Sequence, residues 1–246
     1  DITLGGLIST TGNVSAAATS GTIYDGDTDG TVDISATGLR LWAGTGIGQL
    51  GASVNPIETT VATVSGRATS GGINLYETNA LIVGDVSATI QKVGTAAGVT
   101  ATTDVTQSDV STTGGDGSIV LRTAGGSITL NDGTALADNT SVSANGSGNI
   151  LIEAIGVDTS LTANADIKST SGHITVLAAD SVTFTANADV TTGTAGTIDI
   201  EAGTGSILLS TTSNITTGSG GVRMLGAVDI TLGGLISTTG NVSAAA

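Results

Sequence analysis

Along much of the chain, aliphatic and polar residues alternate in short bursts, and each burst opens on a glycine. "GNILIEA" begins at 148, "GHITVLA" at 172, "GTIDIEA" at 196 and "GVRMLGA" at 221, so successive starts lie 24, 24 and 25 residues apart. Alternation at period two predicts strands with one buried face. A second strand follows each burst: "TSLTA" at 159, "SVTFTA" at 181, "SILLS" at 206 and "DITLG" at 229. A shorter third closes each period: "DIKST" at 166, "DVTTG" at 189, "NITTG" at 214 and "LISTTG" at 235.

Laid one under another, the periods form columns. The first strand stacks Ile150, Ile174, Ile198, Val222 and Val242, and two positions on stand Ile152, Val176, Ile200, Met224 and Ala244. The second is read as Leu161, Phe184, Leu209 and Leu232, the third as Ile167, Val190, Ile215 and Ile236. Three short strands bent around one axis, repeating at about 24 residues, predict an all-β solenoid: a parallel β-helix of triangular cross-section. A β-sandwich also consists of short strands between turns, but its strands would not align column on column.

A longer period encloses the short one. The eighteen residues 1–18, "DITLGGLISTTGNVSAAA", return letter for letter at 229–246. This predicts a tandem unit of 228 residues, 1–228, with the next unit starting at Asp229 and one continuous solenoid over 1–246. The N-terminal half follows the rule less tidily. "GTVDISATGLRLWAG" (30–44), "GGINLYETNALIVGD" (71–85) and "GSIVLRTAGGSITLND" (117–132) each read as a first and second strand. The stretches 45–70 and 86–116 are too long for corners and read as irregular insertions.

Composition sharpens this picture. With 38 glycines, one proline, no cysteine and only Tyr24, Trp42, Tyr76 and Phe184 as aromatics, the core must be built from small aliphatics through repetition. Six basic against 21 acidic residues, a formal charge of −15, argue against nucleic acid and against an anionic membrane surface. No apolar run approaches the ~20 residues of a membrane helix.

The segment 38–86 carries a family resemblance. Its "GTGIG…NPIET" and "SGGINLYETNAL" portions resemble those of giant, repetitive bacterial surface proteins of the filamentous-haemagglutinin type. That resemblance implies a right-handed helix, an extracellular location and a structural role: a rigid filament for adhesion, cohesion or coating. The implied partners are further copies of the chain and cell-surface carbohydrate. The competing function is a β-helical module that binds carbohydrate or ice, and a polysaccharide-degrading enzyme stands behind it.

The sharpest local chemistry lies in "YDGDTDGTVD" (24–33). Asp25, Asp27 and Asp29 ahead of Gly30 match the opening of a calcium loop, and Asp33 falls where a further ligand belongs. Ala36 occupies the place of the usual bidentate glutamate, so an exposed acidic corner is the competing reading. The expected cofactor is therefore Ca2+ or none. Trp42 and Tyr76 are the candidate contact residues for a partner. Catalysis is not expected: His173 is the only histidine, and Glu153 and Glu201 repeat one position along the stack.

Overall fold

Inward-facing isoleucine, valine and leucine set the architecture. In the computed structural model, which describes every residue from Asp1 to Ala246, they stack coil upon coil into one core of 44 buried residues. Twenty-three short strands form a single hydrogen-bonded sheet wound around that core, and every strand pair within it is parallel. Each coil lends its backbone N–H and C=O groups to the coils above and below, so strands of two to five residues are all satisfied. This is the parallel β-helix that the columns predict.

Three faces run the length of the molecule. On the first, Ile2, Ile23, Ile47, Ile73, Ile119, Ile150, Ile174, Ile198, Val222 and Val242 stand in one ladder. The third passes through Leu41, Gly66, Val110, Val142, Ile167, Val190, Ile215 and Ile236. Both columns read from residues 150 onward are thereby shown. The second face carries a correction. Leu161 pairs with Val182, not with Phe184, and Phe184 falls in the column of Ala163, Leu209 and Leu232. Matching the largest apolar residues slips that strand by two residues, which period-two alternation leaves undetected.

The N-terminal half departs further from expectation. Residues 45–70 are not an irregular insertion. Ile57–Ala68 is the longest strand of the molecule, paired with Ile34–Ala43 from Ile34↔Thr59 to Ala43↔Ala68. Only the short loop around Gly51–Ser53, pinched by the Gln49↔Asn55 bridge, is extra there. The strand bends from one face to the next around the fully buried Glu77. That carboxylate accepts from the Val61 N–H at 2.9 Å, the Thr59 hydroxyl at 2.7 Å and the Asn79 N–H at 3.0 Å. Ile34–Ala43 likewise runs further than a first and second strand: Ile34 continues the ladder of Thr59 and Glu77 where the first face ends, Leu39 that of Val64 and Val83 on the second, and Leu41 that of Gly66 and Val110 on the third.

The second predicted insertion is narrower than 86–116. Thr89–Val93 and Val99–Thr103 form an antiparallel hairpin, exposed throughout, that stands off the solenoid. The Val86↔Gln107 bridge closes its neck, and Val110–Thr112 is already back on the third face.

The repeated segment occupies two different phases. In residues 1–18, Ile2 lies on the first face, Ile8 in the ladder of Ile34, Thr59 and Glu77 where that face ends, and Val14 in the second-face ladder of Leu39, Val64 and Val83. Their counterparts Ile230, Ile236 and Val242 lie on the second, third and first. The same sequence is thus seated in a different phase, its first strand one face further round.

Candidate metal centre

Coils lengthen at two of the three corners, and buried acids gather at the necks of the loops. Asp25 ends the strand Ile23–Asp25 and occupies the place that Leu4 takes one coil earlier. The loop 26–32 leaves the solenoid there and returns at Asp33, just before Ile34–Ala43. Glu58 belongs to the following coil, where its carbonyl accepts from the Asp33 N–H at 2.9 Å and its own N–H donates to Asp33 Oδ2 at 3.1 Å.

These three acids converge. Asp25, Asp33 and Glu58 place carboxylate oxygens within 4.8 Å of one another, with side-by-side burial of 8, 4 and 5% residual exposure. Burial is the main force raising two of them, to about 6 for Asp33 and about 7 for Glu58, and the charge of Asp25 adds to it. Asp25 Oδ2 and Glu58 Oε2 are buried and accept no hydrogen bond.

The structure therefore splits the sequence motif. Asp27 and Asp29 do not join the cluster. Each aspartate of the loop turns back on its own backbone: Asp25 Oδ1 accepts from Asp27 N–H at 3.0 Å, Asp27 Oδ1 from Asp29 N–H at 3.2 Å, and Asp29 Oδ1 from Thr31 N–H at 2.8 Å. Gly30, at φ +71°, completes the loop in the left-handed region. Asn55 braces it from below, donating Nδ2 to the Asp27 carbonyl at 2.6 Å. Glu58 was missed by the motif reading. Its signal was a distance of 25 residues from Asp33, one coil, which becomes visible only once the coils of this half are aligned.

A second acidic group lies at the other lengthened corner, where Asp109, Asp132 and Asp138 approach within 4.8 Å. Burial again raises Asp109, to about 6, against hydrogen bonds from Ser108 and Gly133 that lower it. Both Asp109 oxygens have donors, the Ser108 hydroxyl at 2.9 Å and the Gly133 N–H at 3.4 Å; Asp132 is only half-buried, with Oδ1 alone unpartnered, and Asp138 is exposed.

The other residues singled out from sequence sit on the outer surface. Trp42 is half-buried between Ala17 and Arg67 on the third face, where Gln107 crosses to donate Nε2 to the Leu41 carbonyl at 2.9 Å. Tyr76 is half-buried on the first face with the Arg122 guanidinium 5.5 Å from its ring centre. His173 is exposed, and its Nδ1 accepts from the Thr197 N–H at 3.1 Å. Glu153 is paired with Arg122 at 2.7 Å, while Arg223 holds Asp199 at 2.7 Å and also reaches Glu201. No helix is long and apolar enough to cross a membrane. No family model, no curated protein and no solved structure matches the chain.

Proposed function

We propose that this chain is a structural segment of an extracellular bacterial filament, built from tandem copies of the 228-residue unit and serving adhesion, cohesion or coating. One observation carries the reading. The repeated residues 229–246 add strands in register beneath Ile207–Leu209, Ile215–Thr216 and Val222–Gly226, so the start of a second unit prolongs the solenoid. A solenoid gains stability from each neighbouring coil and has no geometric reason to stop. The filamentous-haemagglutinin resemblance of residues 38–86 supplies the surface location and the adhesive role within this proposal. The partners are further copies of the chain, end to end, and cell-surface carbohydrate. The carbohydrate-module reading is weaker, because the outward row Trp42, Arg67, Ser111, Ser143, Lys168, Thr191 and Thr216 carries a single, half-buried aromatic ring rather than a repeated platform for a sugar to stack on.

The test is additive length. From Ile2 to Val222 the first face takes eight steps, and Ile230 lies one face later. At ~4.8 Å per step, one unit spans about 40 Å of rod. Arrays of one, two and three units, imaged by electron microscopy, are expected to lengthen by that amount per unit at constant width. Separate compact beads, one per unit, would overturn the filament reading.

A further inference from the structure

Six acids in this molecule, Asp25, Asp33, Glu58, Glu77, Asp109 and Asp166, are buried deeply enough for their charge to need an answer. Glu77, Asp109 and Asp166 have one: donors reach both oxygens of each carboxylate, Lys168 among those on Asp166. Asp25 and Glu58 do not, since Asp25 Oδ2 and Glu58 Oε2 lie buried without a partner beside Asp33. No cation of the chain comes to them either. The salt bridges involve Arg122, Lys168 and Arg223, which hold Glu153, Asp166, Asp199 and Glu201. Three carboxylates in one dry corner, with no Lys or Arg, are electrostatically incomplete.

We propose that Asp25, Asp33 and Glu58 bind one hard divalent cation, Ca2+ by preference, which ties the loop 26–32 to the next coil of the solenoid. The donor set decides the class. Only oxygen is offered, with no histidine or cysteine, which suits Ca2+ or Mg2+ rather than zinc or copper. Calcium is favoured over magnesium because the ligands come from two strand ends and a neighbouring coil, an irregular set that Ca2+ tolerates and octahedral Mg2+ does not. The ion would join segments 25 residues apart in sequence, Asp33 and Glu58, in the half of the molecule where coil length is least regular. This site stands whether or not the chain builds a filament. It differs from the linear D-x-D-x-D loop in using Glu58 and leaving Asp27 and Asp29 out.

The experiment is calcium titration of the chelator-stripped chain by calorimetry, with Tb3+ luminescence as a second signal and Mg2+ as a second probe. One Ca2+ per chain is expected, with Mg2+ binding more weakly. At a hundredfold excess over Kd the ion is expected to raise the melting temperature by roughly 5–10 °C. Glu58→Gln and Asp25→Asn should each weaken binding by about tenfold or more, as loss of a charged ligand does. Asp27→Asn, Asp29→Asn and Asp132→Asn should leave it within about twofold. A readout independent of binding separates a ligand from a structural prop: without calcium, Glu58→Gln should melt at or above the wild type, because it sheds an unpaired buried charge. Absence of saturable binding at millimolar Ca2+, persistence of binding in both Glu58→Gln and Asp25→Asn, or its loss in Asp27→Asn, Asp29→Asn or Asp132→Asn would each overturn the proposal. So would saturable binding of Mg2+ without Ca2+. Should Glu58→Gln fail to fold, Asp33→Asn takes its place against the same criteria.

Discussion

Gly66 stands in the inward column of the third face, between Leu41 and Val110. A methyl group there would meet Val110 Cγ1 at 3.7 Å, Ile73 Cδ1 at 3.8 Å and Val110 Cγ2 at 3.9 Å, all ordinary van der Waals distances. Its backbone is not in the left-handed region, so a side chain costs no strain. Glycine within a strand loses more conformational freedom on folding than alanine does and leaves its neighbours without a packing partner. Gly66→Ala is expected to stabilise the protein by about 0.5–1 kcal/mol, read by denaturant unfolding; a loss of stability would show that the column is closed at this level. The same glycine shows why this stretch was hard to read. "TTVATVSGRA" (59–68) puts threonine and glycine, at Thr59 and Gly66, where the neighbouring coil has Ile34 and Leu41, so the alternation that marks a strand is faint. The carboxylate corner was half legible for a related reason. Asp25 and Asp33 sit inside a recognisable motif, whereas Glu58 joins them through coil stacking, which no local pattern encodes.

At the level of elements, the hairpin is the one pair of strands that is antiparallel and stands outside the parallel solenoid. Every residue of Thr89–Val93 and Val99–Thr103 is exposed, and the two strands pair only with each other. Its ties to the solenoid sit at its base: the Val86↔Gln107 bridge, Asn13 Nδ2 donating to the Ser87 carbonyl at 2.8 Å, and Arg40 Nε donating to the Val105 carbonyl at 3.2 Å. Replacing residues 89–103 with a short Gly/Asn turn should therefore keep the fold, with stability changed by no more than about 1 kcal/mol. Cooperative unfolding at a similar midpoint is the expected result; loss of the fold would mean that the hairpin nucleates the coil it interrupts. The sequence contrast between halves follows from this division. From residue 148 onward the coils keep a near-constant length, so columns emerge by inspection. Between 26 and 139 the corners carry loops and a hairpin of differing size, and each one shifts the phase of the pattern without altering the faces beneath.

For the whole molecule, the phase of the repeated segment is the most consequential observation. Eight steps of the first face lead from Ile2 to Val222, yet Ile230, the counterpart of Ile2, sits on the second face. The unit therefore holds eight coils and a third. Residues 1–18 accept either setting because their three strands share one inside–outside alternation, so each fits whichever ladder it meets. In a tandem array each unit is then expected to be turned by about a third of a revolution relative to the last, with phase regained after three units, roughly 120 Å along the axis. A feature present once per unit, such as the hairpin or the carboxylate corner, would emerge from each face in succession. Projections would be distributed around the filament rather than lined along one side, and three neighbouring filaments could be bridged by one. A three-unit array labelled at the hairpin tip, at Ala97, and imaged by cryo-electron microscopy separates the two geometries. Labels about 40 Å apart along the axis and about a third of a turn apart around it are expected. Labels in a single row would mean that a unit contains a whole number of coils, and that the segment 1–18 moves to the phase of 229–246 when another unit precedes it.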